Sequence, residues 1–82
     1  MNREDIRRIV IETIASTFDI ETGDIADTTI ADEVDGWDSL SHTVLMIRIG
    51  KRLGGSVPES VAAQAANVGE MIAMLGDHFA EN

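Results

Sequence analysis

The residues best suited to chemistry stand together at Gly36-Trp37-Asp38-Ser39-Leu40, with Ser41 and His42 directly after. A carboxylate, a hydroxyl and an imidazole this close invite three readings. Asp38 is a good helix N-cap, because its carboxylate can accept the free N–H groups of a first turn. Ser39 then becomes the first helical residue, its hydroxyl facing solvent at the positive end of the helix dipole. A phosphate esterified there meets unpaired backbone N–H groups in a favourable field. The plainer reading is a polar residue in a capped turn with no further role. The third is a hydrolase built from Ser39, His42 and Asp38. A triad needs the imidazole to face the hydroxyl while the carboxylate orients it from the far side. Residues confined to one helical turn do not meet both demands, and no oxyanion hole is evident. No catalytic residue is therefore assigned. His42 falls on an apolar arc with Leu45, Ile49 and Leu53, which suits a packed core or groove histidine; contact with a partner or with a group attached nearby is the other reading.

The elements that must position this stretch can be read from periodicity. Ile6, Ile9, Val10, Thr13, Ile14 and Phe18 recur at helical spacing, which predicts an amphipathic helix over 3–18. Residues 19–38 form a long connection with eight acids and no Lys or Arg. A connection of that length in a compact domain is pinned or functional, and Ile20, Ile25, Ile30 and Val34 are expected to pin it. Its acids do not follow the spacing of a calcium loop, and no metal ligand is assigned. Residues 39–53 form a second helix with Leu40, Val44, Leu45, Met46, Ile47, Ile49 and Leu53 around most of its circumference. That pattern predicts a central helix with neighbours on several sides. Arg48, Lys51 and Arg52 share the remaining stripe with Ser41. Gly50 lies inside this helix, and close packing or a bend would explain it. Gly54-Gly55 ends it. A short helix is expected over 59–66 after Val57-Pro58. A last helix over 68–80 opens on Asn67 with Glu70 three residues later, and His78 is expected to sit against its C-terminal end. The expectation is an all-α, four-helix bundle spanning one domain, 1–82, with a long loop between helices 1 and 2.

Composition narrows the partners. A formal net charge of −9 argues against nucleic acid, whose phosphates need Lys and Arg clusters. It favours partners with basic surfaces, toward which the acidic connection could steer Ser39. There is no cysteine, hence no disulfide and no thiolate nucleophile. The charged N-terminus does not resemble a signal peptide and no apolar run approaches membrane-spanning length. The chain is read as a cytoplasmic monomer that binds neither membrane nor nucleic acid.

With these elements in order, the chain resembles the acyl/peptidyl carrier protein family. The resemblance runs from residue 3 to residue 80 and is carried by Gly36-x-Asp38-Ser39-Leu40 opening the second helix, and by Val57-Pro58 and a short helix after it. It implies 4′-phosphopantetheine on Ser39, framed by Asp38 and Leu40, attached by a phosphopantetheinyl transferase. Mg²⁺ is implied in that transfer, with Asp38 helping to position it. The arm's thiol would carry acyl or aminoacyl groups as thioesters between an activating ligase and a downstream acyltransferase or synthase. Such tethering replaces a diffusing substrate by a bound one, and a protein without cysteine cannot compete in thioester exchange.

The chain departs from the fatty-acid type of carrier in three ways. Its second helix offers Arg48, Lys51 and Arg52 where that type has acids, and rim charges govern partner choice. Asp35 stands before the motif glycine where the family usually has Leu. Trp37 occupies a variable position, either covering the core or joining a partner footprint. The run Gly-Trp-Asp-Ser-Leu-Ser-His is similar to stand-alone carriers of specialised biosynthetic pathways. Trp37, Leu40, Val44 and Arg48 are the expected partner contacts, with Leu40 and Val44 as a small apolar docking patch. A groove between the second helix and the short Ala-rich helix could hold the cargo. The competing function is an unmodified helical adaptor that binds a partner through the second helix and Trp37.

Overall fold

Three side chains begin the helices. Asn2 accepts the N–H of Asp5, Asp38 that of Ser41, and Asn67 that of Glu70, each supplying one partner that a helix start otherwise lacks. The helices they open are α1 (Arg3–Phe18), α2 (Ser39–Leu53) and α3 (Val68–Phe79). The structure is a computed structural model in which residues 1–58, 61, 63 and 65–80 are described, and no strand occurs among them. The short helix expected over 59–66 falls on a stretch of which 59, 60, 62 and 64 lie outside the described residues.

The core forms around α1, which packs against both α2 and α3. Ile6, Val10 and Ile14 of α1 join Leu45 and Ile49 of α2 and Val68 and Leu75 of α3 in one buried cluster. Each such side chain contributes about 1.5–3 kcal/mol on removal from water, so these contacts set the orientation of α2. That arrangement corrects the expectation that α2 is the central helix. Only Leu45, Met46, Ile49 and Gly50 of α2 are buried, while Leu40, Val44 and Ile47 are 77%, 45% and 54% exposed. A helix apolar nearly all round has here one buried side and one bare one.

The basic stripe of α2 also divides. Arg48 donates to Thr17 Oγ1 at 2.8 Å, and Arg52 reaches Thr13 Oγ1 at 3.1 Å and Glu12 at 2.9 Å. Both arginines therefore bridge to α1. Lys51, a third of a turn from Arg52, faces away toward the chain that returns after Gly54. Gly50 is explained by that return: a Cβ on it would stand 2.5 Å from the Gly55 carbonyl oxygen.

Residues 19–38 include two 3₁₀ turns, Thr22–Asp24 and Ala31–Glu33. Ile25 is buried, and Ile20 packs against the core. Ile30 departs from expectation: it is 40% exposed, and Thr29 takes the inward place. The Thr29 hydroxyl accepts the Ala26 N–H at 2.9 Å, and its carbonyl accepts the N–H of Val68 at 2.9 Å. The Asp27 carbonyl likewise accepts the N–H of Gly69 at 2.8 Å. The connection is thus fastened by supplying acceptors to the start of α3, with an Arg7–Asp27 ion pair alongside. Hydrogen bonding, which apolar spacing does not encode, decides which residue turns inward.

Candidate functional site at the head of α2

Gly36 lets the acidic connection turn into α2. Its φ of +87° lies in the left-handed region that favours glycine. Two residues later Asp38, in extended conformation, caps the helix. Its Oδ1 accepts the Ser41 N–H at 2.9 Å, and the Asp38 N–H is returned to Ser41 Oγ at 2.8 Å. The Ser41 hydroxyl in turn donates to the Gly36 carbonyl at 2.7 Å. Ser41 thereby closes a reciprocal capping box in the role usually held by Glu or Gln, and also ties the loop to the helix. Sequence reasoning placed Ser41 on the solvent stripe and missed this latch. The available signal was its position three residues after the N-cap.

The latch leaves Ser39 and Leu40 outside it. Ser39 is the first residue of α2, and both it and Leu40 are exposed. The hydroxyl therefore stands on a rigid helix start, beside backbone N–H groups of a first turn. Donation from the Ser41 backbone N–H holds the Asp38 carboxyl below its ordinary value of 3.8. A lowered folded-state value means the native state favours the carboxylate. The cap's contribution is complete above that ordinary value and is lost as pH falls through the lower, folded one. Asp38→Asn is accordingly expected to lower the thermal midpoint at neutral pH, with the gap to wild type narrowing under acid below 3.8. A gap constant across that window would contradict the charged cap.

Trp37 and His42 form the side wall. The Trp37 ring stacks on Phe18 at 5.1 Å between centroids and on His42 at 6.0 Å. Its Nε1–H donates to His42 Nδ1 at 3.0 Å, which places the neutral imidazole's proton on Nε2. The imidazole is therefore oriented by an indole, while the Asp38 carboxylate is held by Ser41. Trp37 is half-buried and packs against the core. His78 is exposed at the far end of α3, edge-on to Phe79.

Beginning one turn after Ser39, a groove of about 540 Å³ runs down α2 to the returning chain. His42, Thr43, Met46, Ile47 and Lys51 form its α2 wall, and Val57 stands opposite. Among the described residues no group of three or more His, Asp or Glu side chains is placed to hold a metal ion, and no helix is long and apolar enough to cross a membrane.

An exposed serine on a capped helix start is what an enzyme-attached phosphate ester requires. The family model for a phosphopantetheine attachment site matches residues 8–75. The chain belongs to the acyl/peptidyl carrier protein family. As a carrier of this family it bears a covalent 4′-phosphopantetheine and serves partner enzymes. No curated protein and no solved structure is a significant match to this carrier. Helix is the only regular secondary structure among the described residues, as the resemblance implied. The residues at the head of α2 fit the group: the hydroxyl is accessible, the helix start is anchored by neighbours rather than by Ser39 itself, and the groove opens beside it.

Proposed function

We propose that Ser39 carries the arm of this carrier, which shuttles acyl or aminoacyl groups between enzymes of a specialised biosynthetic pathway. The observation that carries the assignment is the exposed Ser39 side chain at the first position of α2, left outside the Asp38–Ser41 latch. When bound, the phosphopantetheine supplies a flexible tether ending in a thiol. The protein's own residues supply the rest. Asp38 and Ser41 fix the helix start, and Leu40 flanks the attachment point.

Exposed Leu40, Val44 and Ile47 lie at positions i, i+4 and i+7, one stripe of α2 leading away from Ser39. Such a stripe beside a site supports docking by partner enzymes, with the Trp37 edge and Arg48 at its margins. The partners by this reading are a phosphopantetheinyl transferase, an acyl- or aminoacyl-activating ligase, and an acyltransferase or synthase. The absence of acids on α2 sets those partners apart from ones that read an acidic helix. We assign the carrier to the cytoplasm as a monomer of one domain, acting on neither nucleic acid nor membrane.

Incubation with coenzyme A and a broad-specificity transferase is expected to raise the intact mass by about 340 Da, the mass of the arm. Ser39→Ala should stay at its encoded mass. An unmodified adaptor would show no gain in either form, and a gain that survives in Ser39→Ala would move the attachment elsewhere.

A further inference from the structure

The carrier has six cationic side chains, and five are committed. Arg3 pairs with Asp77, Arg7 with Asp27, Arg8 with Asp5 and Glu12, and Arg52 with Glu12. Arg48 holds Thr17. Lys51 makes no ion pair or hydrogen bond among the described residues, and it lines the groove that starts beside Ser39. None of the described residues lining that groove is acidic, on a chain with a net charge of −9. Lys51 stands twelve residues after Ser39, about 18 Å along the helix axis. His42 and Thr43 occupy the near end and Met46 and Ile47 the middle. A chain entering from Ser39 therefore passes an apolar stretch before meeting an uncommitted ammonium.

Resting on the attachment of the arm at Ser39 and on this groove as the seat of the cargo expected from the resemblance, we propose that Lys51 selects acyl groups ending in a carboxylate. Lysine suits the task, as a point charge on a flexible stem that can lie along apolar surface while its head stays polar. A position near the C-terminal end of α2 also favours a cation through the helix dipole. That role affects stability alike for every cargo, whereas selection affects only cargo bearing an anion.

The test loads the apo carrier from hexanoyl- and adipoyl-coenzyme A, donors of equal chain length of which only the second ends in a carboxylate. Intact mass verifies loading, and the lifetime of each thioester toward hydroxylamine, a neutral nucleophile, is then measured. The adipoyl form is expected to persist about three-fold longer, the size of one ion pair at a solvent-accessible groove. Lys51→Met should bring the two lifetimes together, Lys51→Arg should retain the difference, and added salt should reduce it. Equal lifetimes in wild type, or a difference that survives in Lys51→Met, would overturn the selection while leaving attachment intact. Failure of the arm to load on Ser39 would overturn both.

Discussion

Leu45→Ala is expected to destabilise the carrier by about 3 kcal/mol, a cavity-forming loss in the middle of the usual range for buried leucine. Leu45 is fully buried where α2 meets Ile6, Val10 and Ile14 of α1. For a domain of this size each kcal/mol moves the thermal midpoint by about 4–8 °C, so the fall should exceed roughly 10 °C. A small domain has only about 5–15 kcal/mol in total, and the variant sits near the edge of folding. The contact lies away from the helix start, so the arm should still attach to the folded fraction. Circular dichroism on heating, paired with intact mass below the midpoint, checks both parts. A midpoint within a few degrees of wild type would mean that α1 and α2 do not depend on each other as described.

Gly50→Ala opposes two effects of known size. Alanine improves helix propensity by about 1 kcal/mol over glycine. Its Cβ would stand 2.5 Å from the Gly55 carbonyl oxygen, and forcing apart a packed contact costs about 1–3 kcal/mol. The obstacle is backbone, and the turn it belongs to is tied by the Gly55 N–H donating to the Gly50 carbonyl at 2.9 Å. The clash should win, with a net loss of about 1–2 kcal/mol. Gly23→Ala is the matched control, because nothing lies within 4 Å of a Cβ there, and it should stay within about 0.5 kcal/mol. Denaturant melts of the two variants decide the matter. A stabilised Gly50→Ala would show that the return after α2 yields freely. The same turn forms the far edge of the groove.

Most of the frame was legible before the structure, for identifiable reasons. The bounds of α1 and α2 agree with the 3–18 and 39–53 read from periodicity, and α3 ends at Phe79, one residue short of expectation. Strong local signals mark those ends: Asp38 and Asn67 as caps, and Gly54 with φ +83° after α2. The exposed Ser39 follows from the cap alone. What escaped depends on partners distant in sequence or on side-chain hydrogen bonds. Periodicity placed Arg48, Lys51 and Arg52 on one stripe, yet only acceptors on α1 decide that Arg48 and Arg52 turn one way and Lys51 the other. Apolar spacing nominated Ile30, whereas the start of α3 draws in Thr29. The Trp37–His42 hydrogen bond and the Ser41 latch join residues only three to five apart. Each was open to prediction from spacing, but polar residues in a first turn have several partners within reach.

The carrier's chemistry depends on where the arm is joined. Fragmentation of the intact, enzymatically modified protein in the mass spectrometer locates it directly. The added mass is predicted on fragments that contain Ser39 and not on those beginning at Leu40, so that Ser41 and Ser56 remain bare. An arm found on Ser41, or on any residue other than Ser39, would contradict it.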